Sequence, residues 1–236
     1  MKTHILLFSG IVALLAALAS MLPSSAETAR QLPAPLADEK ADGAASRTAV
    51  FAGGCFWGVQ GVFQRVNGVI QAVSGYSGGA EKTAVYELVG SGLTGHAEAV
   101  KITYDPKKVS YGTLLQIYFS VAHDPTQLNR QDPDSGPQYR SAVFYADAAQ
   151  KETTEKYIAQ LDATKAYPGR IVTQVVSLDA FYAAEDYHQD YLTLNPTQGY
   201  IARFDLPKIA NLKTMFPQQY RAEPALVMAK AGKAPQ

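Results

Sequence analysis

One cysteine occurs in 236 residues, Cys55, and it lies in Gly53-Gly54-Cys55-Phe56-Trp57-Gly58. A strand-like run over 48–52 precedes it, and a helical pattern with Trp57, Gly61, Phe63 and Val66 follows. The thiol is therefore predicted at a strand-to-helix turn, on or just before the first helical turn. Free N–H groups and the positive end of the helix dipole favour a thiolate there. Such placements move a thiol from about 8.5 to roughly 3.5–7.5, so a reactive, ionised Cys55 is expected. The alternative is a small buried hydrophobe, which free cysteine often is.

The first 26 residues bear on that choice. Lys2 and His4 precede an apolar run over 5–19, and Ser24 and Ala26 stand at the spacing of a signal-peptidase site. This is the pattern of a cleaved secretory signal. The run is shorter than the roughly 20 residues that span a bilayer, so no stable membrane anchor is expected. Export places a lone cysteine in an oxidising compartment, where it pairs between molecules or serves as a reactive thiol.

Composition excludes some classes. Lys plus Arg and Asp plus Glu each number 21, which gives no electrostatic case for nucleic acid. One cysteine with scattered histidines gives no metal-ligand spacing. The glycines around 75–79 and 90–95 do not form a dinucleotide or phosphate loop. No cofactor is expected. A cysteine hydrolase, with Cys55 activated by His96, His123 or His188, is a competing reading, as is a secreted binding domain whose aromatics hold an apolar partner.

The elements that position Cys55 follow from periodicity. Strands are predicted over 48–52, 69–76, 97–104, 139–146 and 171–178. Helices are predicted over 56–65, from Ser110 through Phe119, from an Asp147 cap to about Tyr167, and over 183–194, with a short helical piece at 83–89. The leading order, strand-helix-strand-strand-helix-strand, is that of a two-layer ferredoxin-like α/β sandwich with a mixed sheet. Residues 27–47 are predicted to be a flexible linker, 48–210 the catalytic domain and 211–236 a loosely ordered tail. Two long excursions, 77–96 and 121–138, are rich in Gly or Pro and carry carboxylates, the mark of functional loops.

Three segments stand out: Gly54-Cys55-Phe56-Trp57-Gly58; Tyr86 followed by Gly90-Ser91-Gly92-Leu93-Thr94-Gly95-His96-Ala97-Glu98; and Asp134-Ser135-Gly136-Pro137-Gln138-Tyr139-Arg140-Ser141. Together they resemble the A-type peptide-methionine sulfoxide reductases, which reduce the S epimer of methionine sulfoxide. The resemblance runs from about Thr48 to Pro207 and takes in Ala184-Glu185-Asp186-Tyr187-His188-Gln189. It implies Cys55 as nucleophile, Glu98 as proton donor, and substrate contacts from Tyr86, Asp134 and Tyr139. Phe56 and Trp57 can form the apolar slot for the substrate methyl. It implies oxidised proteins and free methionine sulfoxide as substrates and a Cys55 sulfenic acid as intermediate, the route by which oxidised methionine is repaired. Many relatives carry resolving cysteines; this chain has none, so an external thiol or a thioredoxin-like reductant is implied. For export, N-terminal sequencing of the mature protein is expected to start near Glu27; a soluble cytosolic protein retaining Met1 would refute it.

Overall fold

A computed structural model describes residues 29–39 and 43–230; the expected signal segment over 1–26 lies outside them. The sheet has six strands: β1 (Arg47–Ala52), β2 (Val69–Ser77), β3 (Ala97–Tyr104), β6 (Ala142–Tyr145), β7 (Gln174–Ser177) and β8 (Phe181–Ala183). Their spatial order is β7-β6-β1-β3-β2-β8. All neighbours are antiparallel except β6 and β7, so the sheet is mixed. A two-strand ribbon, β4 (Arg130–Gln131) with β5 (Asp134–Ser135), stands apart in the second long excursion.

Strand alternation sorts side chains between two cores. Ala49 and Phe51 of β1, with Val100, Ile102 and Tyr104 of β3, belong to the main core, which they share with helix α1 (Phe56–Gln64) and helix α3 (Tyr111–Ile117). Val50, Ala52, Ala97 and Ala99 belong to a smaller cluster with Ala142 and Phe144. By the same parity Glu98 points to the main core. Phe51 pairs with Val100, so Glu98 lies two residues further on, beside the turn that leaves β1. Register alone thus brings a carboxyl to the Cys55 turn.

Helix caps sit where local chemistry predicts. Ser110 Oγ accepts from Thr113 N at 3.1 Å at the start of α3, and Asp147 Oδ1 accepts from Gln150 N at 2.9 Å at the start of α4 (Ala148–Ala163). These bonds satisfy N–H groups that a helix leaves free.

Several expectations need correction. The strand expected over 139–146 begins only at Ala142, because Pro137–Tyr139 form a 3-10 turn with Gly136 at φ 134. Arg140 caps that turn at Pro137 O (2.8 Å) and ties it to Gly95 O (2.9 Å) and His96 O (3.1 Å). The helix expected over 183–194 is instead the end of β8, a 3-10 turn (Asp186–His188) and the short α5 (Tyr191–Leu194). A side-chain network takes the backbone out of helical register there. Gln189 Oε1 accepts from Gln60 Nε2 (2.7 Å) and Ser74 N (3.0 Å), and its Nε2 donates to Ser74 O (3.0 Å) and Ala184 O (3.1 Å). Asp190 is left-handed at φ 60, and its carboxylate accepts from Gln64 Nε2, Val227 N and Met228 N at 2.6–3.0 Å.

The segment after Asn211, expected to be loose, completes α6 (Leu206–Met215), buries Phe216, bridges Val66 to Tyr220 and forms α7 (Val227–Lys230). Within the expected linker, Leu32 is buried. Gln116 Nε2 donates to Leu32 O (2.8 Å), Tyr157 Oη to Pro33 O (2.9 Å) and Gly112 N to Asp38 Oδ1 (2.8 Å). Both segments lack apolar periodicity, yet single apolar anchors and backbone carbonyls hold them.

Replacing Gln189 by Leu strands several buried groups at once, each costing about 1–3 kcal/mol. A loss of about 3 kcal/mol or more is expected in urea denaturation; a change under about 0.5 kcal/mol would show the network to be dispensable.

Candidate active site

β1 ends at Ala52 and the chain turns through Gly53 and Gly54. Gly54 has φ +85, and a Cβ there would lie 2.6 Å from Gln131 Cβ, so both conformation and space demand glycine. Cys55 is the N-cap of α1 at φ −54, ψ 122 and makes no side-chain cap bond. The capping carboxyl comes from across the sheet: Phe56 N donates to Glu98 Oε2 at 3.0 Å.

Above this turn is a cavity of about 150 Å³ lined by Cys55, Phe56, Trp57, Tyr86, Glu98, Asp134, Tyr139 and Tyr200. The seven residues singled out in the sequence therefore meet at one place, joined by Tyr200. Tyr86 opens the short helix α2 (Tyr86–Val89), where its N–H donates to Glu185 Oε1 at 3.0 Å. Glu185 Oε2 also accepts from Tyr76 Oη at 2.9 Å. Asp134 comes from β5 and accepts a short hydrogen bond from Tyr200 Oη.

The aromatic wall is locked by stacking. Trp57 lies on Tyr191 with centroids 3.9 Å apart and planes 11° from parallel, and meets Tyr200 edge-on at 6.2 Å. Its indole N–H donates to His188 Nδ1 at 3.1 Å. That bond makes Nδ1 the acceptor of a neutral imidazole, and burial holds the His188 pKa down in the same sense. Phe56 packs against Tyr76 (5.9 Å) and His188 (5.0 Å).

Burial governs the electrostatics. It raises Glu98 to about 8, assisted by Asp134 and Asp205 and opposed by the Phe56 N–H. Glu98 thus carries its proton at neutral pH and can donate it. Burial also raises the phenols of Tyr86, Tyr139 and Tyr200, which stay protonated as hydrogen-bond donors. The expectation of an ionised Cys55 is corrected. Burial pushes its thiol well above the ordinary value, Glu98 and Asp205 add to the push, and only the Trp57 backbone N–H is a substantial opposing influence. A helix N-terminus supplies about half a unit of positive charge, too little against desolvation and nearby carboxylates.

The histidines of the hydrolase reading are engaged elsewhere. His123 bonds Tyr118 O (3.1 Å) and Ser141 Oγ (2.7 Å), His96 bonds Gly79 N (3.2 Å) and Ala80 O (3.0 Å), and His188 holds Trp57. Among the described residues none bonds the thiol.

Sequence reasoning left Tyr200, Glu185, Gln189, Asp190 and Asp205 without roles at the site. A tyrosine after Asn195-Pro196 and a buried aspartate carry no local signal of a cavity built around Cys55, far earlier in the chain; only their tertiary contacts reveal them.

The cavity presents one soft nucleophile, neutral O–H donors and an apolar wall. That set fits a small group with a hydrogen-bond-accepting oxygen on a sulfur bearing a methyl. Site and mixed α/β sheet together define a one-cysteine oxidoreductase. Residues 47–220 match the family described as peptide methionine sulfoxide reductase. The chain is 63% identical over 192 residues to peptide methionine sulfoxide reductase MsrA 2 of Mesorhizobium japonicum, covering 81% of this chain and 98% of that one. It is 50% identical to MsrA 2 of Synechocystis sp., covering 74% and 82%. Among solved structures it resembles reduced Mxr1 of Saccharomyces cerevisiae (TM-score 0.61, 33% identity, 68% of this chain and 91% of that one). It also resembles methionine sulfoxide reductase A of Corynebacterium diphtheriae (TM-score 0.56, 36% identity, 64% and 76%). The chain belongs to the peptide methionine sulfoxide reductase family, and its activity is that of a peptide-methionine (S)-S-oxide reductase.

A carboxyl that keeps its proton up to about 8 fixes the sign of the expected pH response. The donor form is full below that value and is lost above it. The single-turnover rate at subsaturating sulfoxide is therefore expected to fall as pH rises through about 8. Glu98→Gln should remove that limb and slow the step by about 10²–10⁴-fold; a loss below about threefold would leave Glu98 a purely structural cap.

Proposed function

We propose that Cys55 Sγ attacks the sulfoxide sulfur while Glu98 delivers its proton to the sulfoxide oxygen. Tyr86 and Tyr139 donate hydrogen bonds to that oxygen as charge builds on it, and Phe56 and Trp57 hold the methyl. The attack forms an Sγ–S bond to the substrate sulfur; as that intermediate collapses, the Sγ–S bond and the substrate S–O bond break, a Sγ–O bond forms, and the thiol proton restores the Glu98 carboxyl. Methionine leaves and Cys55 remains as a sulfenic acid: one thiol and one sulfoxide become one sulfenic acid and one thioether. The observation that carries this reading is that the chain's one thiol opens into the same small cavity as the buried Glu98 carboxyl.

Asp134, bonded to Tyr200, positions that phenol and closes the polar side of the cavity. With no second cysteine in the chain, the sulfenic acid is resolved by an external thiol, either small or carried by a thioredoxin-like protein. A first thiol forms a mixed disulfide and a second releases Cys55. The apolar run over 5–19 and the small residues before Glu27 support a periplasmic or secreted site of action on oxidised proteins.

Intact mass after one equivalent of methionine sulfoxide without reductant tests the reading. The expected product is a gain of one oxygen on Cys55 that traps with dimedone, and Cys55→Ser should form neither methionine nor adduct. An unmodified thiol after stoichiometric methionine release would overturn it.

A further inference from the structure

One buried carboxyl lies outside the cavity and has no part in the chemistry above. Asp205 is fully buried and neither of its side-chain oxygens has a hydrogen-bond partner. Its nearest counter-charge is Lys208 Nζ, 3.6 Å from Oδ1, beyond hydrogen-bond length. A fully buried carboxyl held by so long an ion pair is costly, so its placement calls for a reason.

The placement is specific. Gly58, in the first turn of α1, has no side chain where Asp205 Oδ1 sits: a Cβ there would lie 2.1 Å from that oxygen, and 3.2 Å from Lys208 Nζ. Asp205 therefore rests against the helix terminus whose N-cap is Cys55. It ends a π-helical turn, Ile201–Asp205, which follows directly on Tyr200 of the cavity wall. Such turns are uncommon and recur at functional sites. One short segment thus supplies a phenol to the front of the site and a carboxyl to the back of its helix.

We propose that Asp205, seated against Gly58, is a positioning residue of the reductase: its charge offsets the positive terminus of α1 and holds Cys55 and Glu98 in their protonated forms. The groups facing Cys55 are Glu98 from β3, Asp134 from β5, Asp205 and the phenols of Tyr86, Tyr139 and Tyr200, with the Trp57 N–H as the opposing dipole. Those facing Asp205 are Lys208, Asp134 from β5, Glu98 from β3, the Cys55 thiol and the Tyr200 phenol. Burial raises Asp205 itself to about 6, so it is ionised at neutral pH. A single charge then acts in one direction on both partners of the proton transfer. The benefit is selectivity. A thiolate is open to peroxide, and without a second cysteine the sulfenic acid formed can proceed to sulfinic acid; a thiol kept protonated resists that loss.

Asp205→Asn keeps the shape and removes the charge. The pH profile of Cys55 alkylation by iodoacetamide, measured on the full protein without substrate, is expected to shift down. Alkylation at pH 7 and inactivation by hydrogen peroxide should each be about threefold to tenfold faster, as a shift of about half to one unit requires. This readout does not depend on the catalytic reading above. A second readout does rest on it: the alkaline limb of the single-turnover rate should move to lower pH as Glu98 loses its proton more readily. Gly58→Ala, which displaces the carboxylate without removing it, should shift alkylation in the same direction and serves if the Asn variant fails to fold. A folded variant whose alkylation profile is unmoved, or moves up, would overturn the proposal and leave Asp205 as half of a structural ion pair.

Discussion

The site depends on a single carboxyl that must be buried. Glu98 occupies a main-core position on β3, and its one backbone partner is the Phe56 N–H at the head of α1. That bond joins the strand that carries the acid to the helix that follows the nucleophile. Because β1 and β3 are paired in register, the distance from Cys55 to Glu98 is set by the sheet, not by a loop. Preorganisation of this kind is what a proton donor needs. Burial would penalise a charged carboxyl, so it keeps Glu98 protonated, and that protonation removes the penalty of an unpaired buried charge.

A second layer holds the aromatic wall. The segment from Glu185 to Asp190 has little regular structure, yet its side chains replace a ladder. Glu185 holds Tyr76 and the backbone of Tyr86, His188 holds the Trp57 indole, and Gln189 and Asp190 bind glutamines on α1. Each of these groups is buried or half-buried, where hydrogen bonds are strong and unmade ones are expensive. The cavity keeps its shape because the segment would have to break several such bonds to move.

The charge pattern is as important as the shape. Around one thiol lie Glu98, Asp134 and Asp205, and Lys208 is the cation that acts on Asp134 and Asp205. Most nucleophilic cysteines are activated by a cation or a helix terminus. Here the terminus is present, and burial, with the surrounding carboxyl groups adding to it, outweighs it. The result is a site that holds its protons, on Glu98 and on Cys55, rather than one that presents a free thiolate.

Much of this was legible in the residue order. The strand-turn-helix around Cys55 follows from a β-rich run, two glycines and a helical pattern, all local. The 97–104 alternation told which face Glu98 shares, because side chains in a strand alternate strictly. The three motif segments marked Tyr86, Asp134 and Tyr139 as members of one site. Other features were not local. Tyr139 lies in a 3-10 turn because Arg140 is drawn to distant carbonyls, and the apparent helix over 183–194 is broken by glutamines from α1. The flanking segments lie in place through isolated anchors such as Leu32 and Phe216, which no periodicity announces. The thiol's protonation could not be read either. Sequence places Cys55 at a helix terminus, and that alone argues for ionisation. Only tertiary structure shows the burial and the carboxylates from β3, β5 and the π-turn that reverse it, since desolvation and Coulomb interactions depend on distance in space and not on separation along the chain.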